Sequence, residues 1–129
     1  MPTSLRDFER RLLEAAIEGD PEQDVLAVQV GGAMVASREH TGHGLYVNLV
    51  VDERAPKLTT ERRDRQLQGA DRLVLSHPAL EHGAGTIVWV SECRIEMIEC
   101  FVYDGTWPDD DTAFGISAAS PQDREEPLR

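Results

Sequence analysis

The N-terminal third of the chain has the apolar spacing of an amphipathic helix. Leu5, Phe8, Leu12 and further apolar residues recur three or four positions apart, which predicts a helix that begins just after Ser4. Ser4 and Asp7 have the spacing of a capping box, with aspartate in place of the usual glutamate. The pattern therefore predicts both the helix and its first turn.

A glycine, an aspartate and a proline at positions 19–21 predict the end of this helix and the start of a second one. Asp20 is placed to cap the second helix, and Pro21 to occupy its first turn, where a missing N–H costs nothing. We expect this helix to run from about residue 21 to 30 and to end at Gly31-Gly32. The run Val25–Val28 is also compatible with a strand, but the cap favours the helix.

Beyond the glycines the pattern changes to that of strands. Apolar, β-branched and aromatic residues predict strands that start near 34 and cover 45–51, 73–75, 86–90 and 94–103. Turns are predicted at 41–44, 81–85 and 91–93, so the last two strands form a hairpin. The polar stretch 52–68 is predicted to be a loop.

These elements predict an α+β domain: two N-terminal helices packed on an antiparallel sheet of four to five strands. The predicted core consists of Leu12, Leu26, Tyr46, Val47, Leu49, Leu75, Ile87, Trp89, Ile95, Met97 and Phe101. From Asp104 onward seven acids face two arginines with few large apolar residues. We therefore expect one domain over 1–108 and an acidic, largely disordered tail over 109–129.

Charge and composition exclude several classes of protein. The 129 residues include 13 basic and 24 acidic ones, a net charge of −11, which argues against a nucleic-acid or anionic-membrane binder. No apolar stretch approaches the roughly 20 residues of a membrane span. The charged start, Met1–Arg11, shows no signal peptide, and two cysteines make no disulfide framework. We expect a cytoplasmic protein.

Three short sequence patterns, most of them in the second half of the chain, resemble patterns found in other proteins. They are Thr41-Gly42-x-Gly44-x-Tyr46, Glu81-His82-Gly83-Ala84-Gly85 and Ile95-x-Met97-Ile98-Glu99-x-Phe101-x-Tyr103-x-Gly105-x-Trp107-Pro108. They resemble patterns of small bacterial α+β proteins of unknown function, over about residues 33–108. The resemblance implies no catalytic residue and no cofactor. As a short, acidic, single-domain protein the chain is also similar to immunity proteins, which neutralise a sibling toxin.

The histidines are the first candidates for chemistry. His40 and His43 have the i,i+3 spacing of metal ligands, but that spacing converges only in a helix, which the adjacent glycines disfavour. No zinc motif is present, so we predict no metal site. Hydrogen bonding of these histidines to backbone or solvent is the preferred interpretation.

The two cysteines are expected to pack as small apolar side chains. Cys93 and Cys100 are seven residues apart, which places them on opposite faces of a regular strand, unable to form a disulfide with each other. A nucleophilic cysteine would need a partner that stabilises its thiolate, and the sequence does not supply one nearby.

Glu99 interrupts an otherwise apolar row. Counting by two from Ile95 gives Met97, Glu99, Phe101 and Tyr103, so a core-facing row would bury a carboxylate. A buried Glu99 would need a partner, and Arg38 or His82 are the candidates. One interpretation is a pocket carboxylate with a perturbed pKa, alone or with Glu39. The others are a structural salt bridge, or a bulge near 98–99 that turns the side chain outward.

No set of residues predicts catalysis, so we expect a non-enzymatic acidic binding protein that occludes a basic protein partner, as an immunity protein or inhibitor does. Its candidate binding residues are Trp107, Asp104, Asp109, Asp110 and Asp111. Trp107 has the alternative role of capping the core. The alternative function is a small enzyme or ligand-binding module, its pocket formed by His40, His43, His82 and Glu99. A third candidate function is that of a structural module that self-associates through an exposed strand edge.

Overall fold

The computed structural model describes residues 1–59 and 65–118. Its helices are α1 (Asp7–Ile17), α2 (Gln23–Gly32) and the short α3 (Gln68–Asp71). Its strands are β1 (Thr3–Ser4), β2 (Met34–His40), β3 (Gly44–Val50), β4 (Arg65–Gln66), β5 (Leu73–His77), β6 (Leu80–Ser91), β7 (Arg94–Val102) and β8 (Gly115–Ala118). A 3-10 turn, Asp111–Ala113, precedes β8.

Helix α1 lies where the apolar spacing predicts it, but its capping residues differ from the predicted ones. Phe8 and Leu12 are buried, as the amphipathic pattern requires. Ser4 belongs to β1, and the carboxylate of Glu9 accepts the backbone N–H of Arg6 at 2.7 Å. The box therefore uses residues 6 and 9, because the chain leaves β1 before it turns into the helix.

Helix α2 is present, and the strand alternative for Val25–Val28 is wrong. The helix begins at Gln23 rather than at residue 21 and extends through the two glycines to Gly32. Asp20 still stabilises its start, because Oδ1 of Asp20 accepts the N–H of Glu22 at 2.9 Å.

Within the described residues the sheet is antiparallel and has eight strands, more than the four to five predicted. Its order is β1-β2-β3-β7-β6-β5-β8, with β4 beside β6 off this path. The predicted strands correspond to β2, β3, β5, β6 and β7. The three additional strands, β1, β4 and β8, have only two to four residues each. Such short strands show too little alternation to be recognised in a sequence.

Strand β8 lies inside the segment that the composition predicts to be a disordered tail. It pairs with β5 from Leu73 opposite Ala118 to Ser76 opposite Gly115. Phe114, directly before it, is buried. The sheet therefore extends beyond the predicted boundary at 108. The rest of the predicted tail, 119–129, lies outside the described residues.

Strand β6 includes residues 81–85, so the turn predicted there is wrong. Gly83 has a φ of +72°, and a Cβ at this position would lie 2.5 Å from the carbonyl oxygen of Leu75. The pairing of β5 with β6 is irregular between Leu75 and His77. Glycine here accommodates an irregular strand pairing rather than a chain reversal.

The predicted hairpin of β6 and β7 is confirmed, and a bulge sets which side chains face the helices. Glu92 and Cys93 form its turn with φ values of 53° and 68°, the signs that a type I′ turn requires. Val90 lies opposite Ile95 and Trp89 opposite Met97, which leaves Glu96 as an extra residue in β7. Beyond the bulge the alternation of faces is reversed.

Helices α1 and α2 cover one face of the sheet, here called the inner face, and the core lies between them. Six predicted core residues are buried there: Leu12, Leu26, Val47, Leu49, Leu75 and Ile95. The other five are only partly buried, on the opposite face: Tyr46, Ile87, Trp89, Met97 and Phe101. No helix within the described ranges is long and apolar enough to cross a membrane.

Candidate functional site

The sheet face opposite the helices carries a band of partly exposed aromatic residues. Three consecutive cross-strand rows define this outer face: Glu39, Tyr46, Glu99 and Ile87; Gly44, Phe101 and Gly85; Ser37, Asn48, Met97, Trp89 and Gln66. Glu39 and Glu99 are the charged members of these rows, and both are acidic. The outer face thus combines apolar and aromatic side chains with polar ones, and the charges within its three rows are negative only.

Glu99 lies on this outer face, so the expectation that its row faces the core is wrong. The bulge at Glu96 reverses the alternation, as in the outward-turned alternative weighed from the sequence, although the bulge precedes the predicted position. The indole Nε1 of Trp89 donates to Oε1 of Glu99 at 3.1 Å. This bond holds the carboxylate flat against the neighbouring strand, where it is half-buried.

Neither of the predicted partners of Glu99 contacts it. Arg38 points to the inner face, where its Nε and Nη2 donate to the two carboxylate oxygens of Glu9 at 2.6 and 2.7 Å. His82 is exposed, and its nearest acid is Glu81 at 4.0 Å. Glu99 lies opposite Ile87, five residues along β6 from His82, or about 16 Å at the usual rise per residue.

The other histidines of the predicted pocket do not converge either. His40 ends β2 as an exposed residue, and His43 lies in the following turn, where its Nδ1 is 3.1 Å from the carbonyl oxygen of Gly105. In the described residues no group of three or more potential ligands forms a metal site. The structure therefore does not assemble a pocket from His40, His43, His82 and Glu99.

Trp107 lies in an aromatic cluster of the core rather than on the surface. Its side chain stacks on Phe114 at a centroid distance of 4.9 Å and contacts Phe8 at 6.3 Å. Its backbone N–H donates to the carbonyl of Gly42 at 2.9 Å. With only 9% of its surface exposed, Trp107 caps the core, which is the alternative role that the sequence offers for it.

The acidic residues near the C-terminal strand have separate environments. Asp104 and Asp109 are exposed, whereas Asp111 forms an ion pair with Arg6 at 3.3 Å. Asp110 accepts the side-chain hydroxyl and the backbone N–H of Thr112, and these bonds lower the pKa of its carboxyl. His77 fixes the chain here, because its Nε2 lies 2.7 Å from the Asp110 carbonyl oxygen.

Both cysteines are free and buried, and burial raises the pKa of the Cys100 thiol to about 12. We expect iodoacetamide at pH 8 to leave Cys100 unmodified in the folded protein and to alkylate it after denaturation, because the thiolate is the reactive form. The neutral thiol stabilises the fold below pH 9.0, its ordinary pKa, and this contribution is lost as the pH rises toward about 12. Alkylation is measured by mass spectrometry on a Cys93→Ser variant, in which Cys100 is the one remaining cysteine. Rapid alkylation of the folded variant would contradict the prediction.

A cleft of about 290 Å³ opens beside the outer face. Strand β6 pairs with β5 as far as Ala84 and with β4 from Trp89 onward, and α3 lies beside the intervening residues. Asp71 at the end of α3, Gly85 in β6, and Phe101 and Tyr103 at the end of β7 are among the residues that line the cleft. This cleft is not recognisable in the sequence, because α3 falls next to a stretch predicted to be a loop.

Comparison of the chain with models of protein families, with curated proteins and with solved structures gives no significant match. The site is therefore interpreted from its own geometry and charge.

Proposed function

We propose that the chain is a non-enzymatic acidic binding protein that docks a basic protein partner on its outer face, as an immunity protein or inhibitor would. The observation that carries this proposal is the juxtaposition of Tyr46, Trp89 and Phe101 with Glu39 and Glu99 on one sheet face. Aromatic residues are enriched at the centre of protein interfaces, where they supply much of the affinity.

Charge supports a basic partner over a neutral one. The whole chain has a net charge of −11, and the three rows of the outer face contain two acids and no base. Exposed acids at positions 104 and 109 add to the negative field that draws in a cationic protein. The separation of His82 from Glu99 gives no support to the alternative of a pocket enzyme.

The test is capture of a partner from a lysate of the source organism by tagged protein, compared with three variants. Glu39→Lys changes the charge of the outer face, Asp109→Lys makes the same change near the C-terminal strand, and Glu14→Lys makes it on α1, away from both. All three positions are exposed, so each variant should fold. We expect one basic protein to be retained by the wild type and by Glu14→Lys, and lost from Glu39→Lys.

Salt provides a second measurement on the same complex. Surface charges are screened over about 8 Å at physiological ionic strength, so we expect the association rate to fall as salt is added.

Equal capture by Glu39→Lys and the wild type would contradict docking on the outer face. Selective loss from Asp109→Lys would move the interface to the acidic segment instead.

A further inference from the structure

The cleft beside α3 combines two aromatic side chains with a carboxylate that has no partner among the described residues. Asp71 is exposed, and its carboxylate makes no hydrogen bond or ion pair with any residue in the described ranges. We propose that this cleft binds the guanidinium group of an arginine side chain. The claim that this arginine belongs to a basic protein partner rests on the proposed function, whereas the binding site itself does not.

The aromatic wall of the cleft depends on Gly85. A Cβ at this position would lie 2.6 Å from Cζ of Phe101 and 2.6 Å from the hydroxyl of Tyr103, so both rings lie directly over the glycine. The two rings meet edge to face, with centroids 5.6 Å apart and planes at 87°. Tyr103 is 64% exposed, which leaves ring surface open to a ligand. A cation over such a surface is attracted by the π electrons.

The charge of the cleft selects a cation, and its shape favours a planar one. Asp71 is the charged residue among the described residues that line it. A guanidinium group is flat and weakly hydrated, so it stacks on an aromatic ring and donates two parallel hydrogen bonds to a carboxylate. A lysine ammonium carries the same charge but cannot stack. An anion would be repelled by Asp71 and by the net charge of −11.

Titration of the full-length, 15N-labelled chain with Nα-acetyl-arginine amide tests the site without any partner. We expect saturable shifts of the amide signals of Asp71, Gly85 and Tyr103. The citrulline analogue, which replaces guanidinium by a neutral urea of the same shape, should cause none at equal ionic strength. Asp71→Asn should weaken binding about fivefold, the upper end for an exposed ion pair. Tyr103→Leu should weaken it about two- to fivefold through loss of the cation–π contact.

Asp104→Asn is the matched control, because it removes the same charge from an exposed position that does not line the cleft. Its affinity should equal that of the wild type. Shifts that do not saturate, equal binding of citrulline or of Nα-acetyl-lysine amide, or undiminished binding by Asp71→Asn would each overturn the proposal.

The two proposals fail in distinguishable ways. If arginine amide binds but no basic protein is captured, the proposal for the cleft is supported and the proposed docking function fails. If capture depends on Glu39 but arginine amide does not bind, the docking function stands and the cleft proposal fails.

Discussion

Replacing Arg38 by methionine is expected to lower the free energy of unfolding by about 3–5 kcal/mol, because it leaves the buried carboxylate of Glu9 without its cation. Glu9 is 1% exposed, and its two oxygens accept both hydrogen bonds of the Arg38 fork. The loss is measured by urea denaturation at neutral pH, followed by circular dichroism.

A matched variant tests whether the effect belongs to this buried pair. Arg11 forms an i,i+4 ion pair with Asp7 at 2.9 Å and also donates to the carbonyl of Phe114 at 3.4 Å. Asp7 is 87% exposed, so Arg11→Met leaves no buried charge without a partner and should cost no more than about 1 kcal/mol. The double variant Glu9→Gln with Arg38→Met removes both charges and keeps an oxygen for the Arg6 N–H. It should be more stable than Arg38→Met alone. A double variant that loses as much as the two single changes added together would contradict this account.

The pair also shows which parts of this fold the sequence predicts. Helix α1 and the hairpin of β6 and β7 follow from local spacing and turns, because each depends on residues close together in the chain. The partner of Arg38 does not. Glu9 lies 29 positions away on another element and forms part of a capping pattern that the sequence places at Ser4 and Asp7. Only packing of α1 on the sheet brings the two charges together.

One residue explains why the row that contains Glu99 faces away from the core. An apolar row on β7 was expected to face the core, and Glu99 within it was expected to be a buried carboxylate. The extra residue at Glu96 places Ile95 inside and Met97, Glu99 and Phe101 outside. Because side chains alternate with a period of two, a single bulge exchanges the faces of every residue beyond it. The sequence shows which residues form the row, whereas the face that they occupy depends on the bulge.

Replacing Gln29 by leucine is expected to lower the free energy of unfolding by about 2–4 kcal/mol, because the buried N–H of Ile95 and the carbonyl of Pro56 lose their hydrogen bonds. Gln29 is fully buried in α2, where Nε2 donates to the carbonyls of Pro56 at 2.8 Å and Cys93 at 3.0 Å. Its Oε1 accepts the N–H of Ile95 at 3.0 Å. One side chain thus joins α2 to the loop after β3 and to the turn of the β6–β7 hairpin.

Leucine has a similar size and restores none of these bonds. The carbonyl of Cys93 keeps a second donor, the N–H of Leu58 at 3.0 Å, so the cost comes from Ile95 and Pro56. Gln23→Leu is the matched control on the same helix, since Gln23 accepts one exposed N–H, that of Gly19, and should cost no more than about 1 kcal/mol. In hydrogen exchange, the amide of Ile95 should lose protection in Gln29→Leu and keep it in Gln23→Leu. Equal stability of Gln29→Leu and Gln23→Leu would show that the hairpin turn does not depend on the side-chain amide of Gln29.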